Sequence, residues 1–246
     1  MIKSLQNLIR YSYWKLFYYI KGYTVSKYYF SQSGEDHILS KIFEKKIERN
    51  EKGFYVDIGA YHPYKLSNTF YFYLQGWRGI NVDPSPGSMK VFNKIRKDDL
   101  NIEIGISERG KGFEIPFYDL GNSPMSSFKL DWLNQNSINL DSCTIHYVKT
   151  YTLIELFEKY LSNDQKIDFL NIDAEGMSDQ VYRSNNWNIY RPKILIIEME
   201  GRYLPDIKNE IKYFEKINYN MIAKTTLNSP VSSVIFVDDY INFKDL

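Results

Sequence analysis

Residues 53–86 read GFYVDIGAYHPYKLSNTFYFYLQGWRGINVDPSP, and the fold follows from where this stretch is apolar and where it breaks. Phe54, Tyr55 and Val56 form a short apolar run that ends on Asp57 and breaks at Gly59. Residues 66–74 predict a helix. After the punctuation of Gly76 and Gly79, Ile80, Asn81 and Val82 give a second short run that ends on another acid, Asp83. Strand, loop, helix and strand in that order predict one right-handed βαβ unit of an open parallel sheet. Both acids then fall at the carboxyl ends of neighbouring strands, where open α/β sheets bind their ligands. A glycine at the first tip lets a ligand approach the backbone, and an acid beyond the second strand accepts hydrogen bonds from both hydroxyls of a ribose. The expected ligand is a nucleoside. A dinucleotide fingerprint would need G-x-G-x-x-G, but Tyr61 and Pro63 stand where its later glycines belong. That counts against NAD and FAD and favours a nucleoside without a phosphate, such as S-adenosylmethionine. The plainer alternative, that Asp57 and Asp83 are ordinary turn acids, stays open at this point.

The pattern continues on both sides. Upstream, the polar cluster of residues 30–37, FSQSGEDH, precedes an expected helix over 38–49 that Ser31 or Ser33 can cap. The cluster is more polar than a cap needs, so Gln32 is also a candidate ligand contact at the mouth of the site. Downstream, residues 88–97 predict a helix and 102–106 a third strand, with Ser107 just beyond it where an adenine edge could be read. Residues 111–142 interrupt the alternation and predict a cap-like insertion, with a strand over 113–118 and a short helix over 128–136; loops at this edge of a sheet usually set specificity. Residues 145–149 look extended. Thr152 and Glu155 have the spacing of a capping box for a helix over 153–161. The run Ile167 to Ile172 leads into Asp173-Ala174-Glu175-Gly176, repeating the logic of the first strand. Residues 178–184 then predict a helix. Ile194-Leu195-Ile196-Ile197 is apolar throughout, as in a central parallel strand buried on both faces, and ends in Glu198-Met199-Glu200. A helix over 206–216 and two closing strands, 219–224 and 231–237, complete the chain.

A length of 246 residues suits one domain with appendages. Lys and Arg number 31 against 30 Asp and Glu, so no global charge argues for nucleic acid. Cys143 is the only cysteine, which excludes an internal disulfide and a cysteine metal cage and fits a cytoplasmic protein. Residues 1–30 stand apart: basic, free of acids and crowded with tyrosine. No apolar run there approaches the roughly 18 residues of a membrane span. Packing on its own domain, a homodimer contact and a peripheral membrane contact are all open for this segment.

SQSGED at 31–36, DIGAYHPYKLSNTFYFYLQGWRGINVDPSPGSM at 57–89, FLNIDAEG at 169–176 and ILIIEME at 194–200 together resemble the FkbM-type methyltransferase family. The resemblance implies an α/β fold of class I methyltransferase type: a Rossmann-like, seven-stranded, mostly parallel sheet of order 3-2-1-4-5-7-6. It implies methyl transfer from S-adenosylmethionine to a hydroxyl oxygen, often in making polyketides or glycans. Asp57 and Gly59 match the first cofactor motif, Asp83 the ribose-binding acid, and Asp173 and Glu175 the second acidic block. The chain departs from the broader methyltransferase pattern at Tyr61 and Pro63, so Gln32 and Asn68 are candidates to hold the methionine tail.

Methyl transfer from a sulfonium requires an acceptor oxygen held in line and relieved of its proton. His62 and Asp173 are the expected bases, with Glu175 beside them. Glu198 and Glu200, two apart on one strand, would share a side and with Asp173 could hold Mg²⁺ or another divalent cation. The expected acceptor is a sugar or nucleotide-linked sugar in glycan biosynthesis. A polyketide or lipid acceptor, or a nucleoside-binding protein without turnover, is the alternative. A short dehydrogenase is disfavoured by the missing glycines and by the lack of a suitably placed Tyr-x-x-x-Lys pair.

Overall fold

The computed structural model describes residues 29–121, 123–162, 164–226 and 231–242. The expected basic aromatic segment therefore lies, through residue 28, outside the described residues. Seven strands form the central sheet: β1 (Phe54–Ile58), β2 (Arg78–Val82), β3 (Leu100–Ile102), β7 (Phe169–Ile172), β8 (Ile194–Glu200), β9 (Tyr219–Thr225) and β10 (Val231–Asp238). Their order is β3-β2-β1-β7-β8-β10-β9. The first five pair in parallel, and β10 lies antiparallel to both its neighbours. This is the class I methyltransferase-like arrangement, with the switch point between β1 and β7.

Register brings the site together. Ile58 is level with Val82 on one side and Ile172 on the other, and Ile172 is level with Ile197. The next residue of each strand or its loop is Gly59, Asp83, Asp173 and Glu198, so one edge of the sheet collects all four.

Side-chain alternation divides the core into two layers. Val56, Ile58, Ile80, Val82, Leu170 and Ile172 face one way, packing with Leu156 and Phe157 of α6 (Leu153–Tyr160), Val181 of α7 (Ser178–Arg183) and Phe214 of α8 (Lys208–Lys216). Tyr55, Phe169, Ile194 and Ile196 face the other way. They meet Leu39 of α1 (Glu35–Ile42), Phe43, Phe72 of α3 (Phe70–Leu74) and Trp77. Fully burying one such large apolar side chain stabilises the fold by about 1.5–3 kcal/mol. Gly79 makes room on this second face: a Cβ there would stand 2.1 Å from the Tyr55 ring.

Several expected elements are shorter or divided. The helix expected over 38–49 is two, α1 and α2 (Glu44–Glu48), which meet at the buried Phe43. Gly34 takes the cap position of α1 at φ 87°, and the Ser31 hydroxyl serves its first turn from outside, accepting the Gly34 and Asp36 N–H groups at 3.1 and 3.4 Å. The helix expected from residue 66 begins only at Phe70, where the Ser67 hydroxyl accepts the Phe70 N–H at 3.1 Å, while Asn68 and Thr69 spend their side chains on polar contacts described below. Residues 88–97 form α4 (Ser88–Ile95). The expected third strand splits. β3 joins the central sheet, while β4 (Gly105–Ile106) joins a second sheet of order β4-β6-β5 with β5 (Glu114–Asp119) and β6 (Thr144–Tyr151). α5 (Leu130–Gln135) lies between β5 and β6 in the chain. Thr152 and Glu155 form the expected capping box on α6. Among the described residues no helix is long and apolar enough to cross a membrane.

Candidate active site

At the carboxyl edge of the sheet lies a cleft of about 1250 Å³, counted to its open mouth. Gly59 forms its floor at the tip of β1, with φ 80°. A Cβ at Gly59 would stand 1.6 Å from the Asp173 carbonyl oxygen, so the tips of β1 and β7 touch through this glycine. The N–H groups of Gly59 and Ala60 donate to the Val82 carbonyl at 2.9 and 3.0 Å and turn the chain across the end of β2. Asp83 is buried at that end. Its Oδ2 accepts the Tyr61 N–H at 2.8 Å and its Oδ1 the Ser85 N–H at 2.9 Å. The Ser85 side chain stands against this carboxylate as well, and Asp83 lines the cleft. Burial raises the Asp83 proton affinity, offset by those loop hydrogen bonds.

Asp57 reaches the cleft floor from the Tyr55 face, and its oxygens are already engaged. Thr69 Oγ1 donates to Oδ2 at 2.7 Å and Asn171 Nδ2 to Oδ1 at 2.8 Å. Asn68 Nδ2 in turn donates to Asn171 Oδ1 at 2.9 Å. Beneath Thr69 lies Arg96, fully buried, whose guanidinium donates to Thr69 Oγ1, to the Tyr55 hydroxyl and to Asp99. Burying an unpaired charge is expensive. Here Arg96 faces Asp99 at 2.8 Å, with Asp57 one residue beyond Thr69.

The cleft also gathers three carboxyls from two segments: Asp173 and Glu175 from the loop after β7, and Glu198 from β8. One oxygen of each lies within 4.8 Å of the other two. Burial raises all three proton affinities, and neighbouring carboxyls add to it: Asp57 and Glu35 at Asp173, Asp173 and Glu200 at Glu175, Asp173 and Glu175 at Glu198. Asp173 is pushed up to about 6, Glu175 to about 9, and Glu198 well above the usual carboxylate range. Asp173 and Glu198 hydrogen-bond to each other, which requires one to carry a proton, and the ordering assigns it to Glu198. Asp173 is therefore the group ionised first as pH rises. The loop that carries Glu175 is held in an uncommon conformation, φ 29°. Ser127 Oγ donates to the Glu175 carbonyl at 2.6 Å, and Trp132 packs on Gly176 so closely that a Cβ there would stand 2.6 Å from its ring.

The sequence profile described as the methyltransferase FkbM domain matches residues 57–221, more than half of the chain. The chain belongs to the FkbM methyltransferase family. Among solved structures the methyltransferase domain of METTL16 is similar at TM-score 0.50 and 7% identity, covering 83% of this chain and 66% of that one. The FkbM methyltransferase from Methylobacillus flagellatus KT is similar at TM-score 0.45 and 11% identity, covering 76% and 43%. Aeropyrum pernix fibrillarin, solved with natively bound S-adenosyl-L-methionine, is similar at 0.43 and 12%, covering 75% and 66%. This FkbM-family chain thus spans less than two thirds of the length of each. No curated protein matches it.

Of the residues the sequence singled out, Gln32, Asp57, Gly59, Asn68, Asp83, Asp173, Glu175 and Glu198 all line the FkbM-family cleft. Three do not. His62 turns away, its Nδ1 accepting the N–H groups of Tyr64 and Lys65 at 3.3 and 3.2 Å; it closes a turn rather than facing an acceptor. Ser107 is sealed against the second sheet, its N–H on the Tyr151 carbonyl at 2.9 Å and its Oγ accepting from Arg109; Ile104 and Ile106 take the cleft positions instead. Glu200 lies exposed at the end of β8, and Glu175 supplies the third carboxyl expected of it. Sequence reading missed Glu35, Asn171 and Ser127. Asn171 had a signal, an amide in the middle of an apolar strand. Glu35 meets Thr225, 190 residues away, and Ser127 meets Glu175 across 48, so neither contact leaves a local trace.

Proposed function

We propose that the protein transfers a methyl group from S-adenosylmethionine to a hydroxyl of a sugar, free or nucleotide-linked, in glycan assembly. One observation carries this: a single cleft has a hydroxyl-accepting carboxylate, Asp83, at the tip of β2, and an Asp173 of near-neutral proton affinity across the switch point. The residues present fit the donor. Asp83 would take the ribose hydroxyls, and Gln32 and Asn68 the methionine end. Bound there, S-adenosylmethionine supplies an electrophilic methyl on a sulfonium. Asp173, ionised above about pH 6, accepts the acceptor proton as general base, a contribution typically worth about 10²–10⁴-fold. Burial, with Asp57 and Glu35 nearby, holds its proton affinity up against the Glu198 hydrogen bond, which lowers it. The loop clamped by Ser127 and Trp132 keeps the group from rotating away.

A second reading uses the same trio. Asp173, Glu175 and Glu198 would hold a divalent cation, favoured by three oxygens within 4.8 Å of one another. The cation would lower the acceptor hydroxyl pKa in place of the base. Both are tested together by a screen of sugars and nucleotide sugars with labelled methyl donor, with and without EDTA. S-adenosylhomocysteine should bind in calorimetry and NAD should not. Asp173→Asn should keep that binding and lower turnover at least 100-fold. A variant as active as wild type removes Asp173 from the chemistry, and turnover unchanged by EDTA removes the cation.

A further inference from the structure

We propose that the acceptor enters this cleft without a phosphate group, as a neutral or amino-bearing glycoside rather than a nucleotide sugar. The inference rests on the methyl-transfer reading above and narrows its acceptor class.

Six carboxyl side chains line the one cleft: Glu35, Asp57, Asp83, Asp173, Glu175 and Glu198. Among the described residues that line it there is no Lys, Arg or His. The buried cation nearest in the hydrogen-bond network, Arg96, is spent beneath the sheet on Asp99, Thr69 and Tyr55. Phosphates are ordinarily held by guanidinium forks, ammonium groups or free helix N-termini. Two of the helix starts beside the cleft already carry carboxylates of this chain. Glu35 and Asp36 occupy the first turn of α1, where the Glu35 carboxylate accepts the Ser33 N–H at 2.9 Å. Ahead of α4, the Gly87 N–H donates to Glu103 at 2.8 Å. A diphosphate would therefore enter a partly dehydrated cleft lined by carboxyls, with no described cation there to meet its charge, and repulsion from the ionised ones is screened less than at the surface.

The rest of the lining fits the opposite kind of ligand. Ser33 and Ser233 bring hydroxyls to the lining, and the half-buried Phe128, packed on Phe117, brings an aromatic ring. Hydroxyls with flat apolar surfaces are what a pyranose ring matches. The same negative field favours the cationic sulfonium of the donor, so one charge distribution serves donor entry and acceptor choice.

The test uses the full chain saturated with S-adenosylhomocysteine and matched probes: methyl glucoside, glucosamine, glucose 1-phosphate and UDP-glucose, with the galactose series in parallel. Binding is measured by ligand-observed NMR and calorimetry at two salt concentrations, in EDTA and in Mg²⁺. The expected result is at least tenfold tighter binding of each neutral or amino probe than of its phosphorylated counterpart. The gap should narrow at high salt. Equal or tighter binding of a phosphorylated probe, in either metal condition, overturns the inference and leaves methyl transfer standing. Binding of no sugar of any charge overturns the acceptor class and this inference with it. Failure of S-adenosylhomocysteine to bind overturns methyl transfer itself and is read before any probe is added.

Discussion

Asp83→Ala removes the carboxylate that both shapes the cofactor loop and accepts from the expected ribose, and the two losses can be worked out separately. In the free protein the change strands two half-buried N–H groups, those of Tyr61 and Ser85, which now donate to Oδ2 and Oδ1. Leaving a buried donor unsatisfied costs about 1–3 kcal/mol. Both donors lie in a loop that can reach water, so the expected loss of stability is about 2 kcal/mol in total. In the complex two further hydrogen bonds to a charged acceptor disappear, each worth about 1.5–3 kcal/mol. Taking the low end for each gives about 3 kcal/mol, or roughly 100-fold in affinity at about 1.4 kcal/mol per factor of ten. Urea unfolding of the free protein reads the first loss, and calorimetry with S-adenosylhomocysteine well below the melting range reads the second. A dissociation constant within threefold of wild type would refute the ribose assignment, even if stability fell as expected. A large affinity loss with unchanged stability would refute the loop-bracing role instead.

Two further outcomes follow from the same edge of the sheet. Gly59→Ala places a methyl 1.6 Å from the Asp173 carbonyl at a φ of 80°. The left-handed backbone alone costs about 1–2 kcal/mol, and parting the β1 and β7 tips adds to it, so urea unfolding should show a loss of about 3 kcal/mol or more; a loss below 1 kcal/mol would mean the tips do not touch. Stability measured in EDTA should fall as pH rises. Burial raises the folded-state proton affinities of Asp173 to about 6 and Glu175 to about 9, so their contribution is complete below the unfolded carboxylate range near pH 4 and is lost through those two values. Glu175→Gln cannot ionise and should flatten the decline between pH 6 and 9. After discounting for the side chain's partial exposure, the variant should gain about 2 kcal/mol over wild type at pH 9. An unchanged slope in thermal melts would show that Glu175 does not titrate there.

The fold was legible because its deciding signals are local. Phe54 to Val56, Ile80 to Val82 and Ile194 to Ile197 are apolar runs of strand length, each followed by an acid, and parallel pairing in register makes their ends coincide. Thr152 and Glu155 announce their helix in the same local way. Local signals fail where a side chain is committed to a distant partner. Residues 66–69 adjoin the apolar tract of the helix, yet Thr69 is drawn to Asp57 and Asn68 to Asn171, and the helix waits until Phe70. His62 and Ser107 follow the right strands, but their loops turn them onto backbone N–H groups, which no periodicity encodes. Alternation along β8 correctly put Glu198 and Glu200 on one side. It said nothing of the φ of 29° that carries Glu175 back to Asp173 while Glu200 runs out to the exposed strand end.

The same alternation explains why the acid of the first cofactor motif and the acid after the second strand do different work. Asp57 shares a face with Tyr55, so it points to the layer of α3 and Arg96, where Thr69 and Asn171 occupy its oxygens. Asp83 lies one residue past the end of β2, beyond the last sheet pairing, held by loop N–H groups where it lines the cleft. Asp57 therefore acts on a ligand through the residues it holds. It fixes Asn171, and through it Asn68, while Arg96 beneath balances a carboxylate that burial would otherwise keep protonated. Two acids with the same sequence context thus divide into a brace and a contact, and the division is set by whether the residue falls inside the last rung of the sheet or just past it.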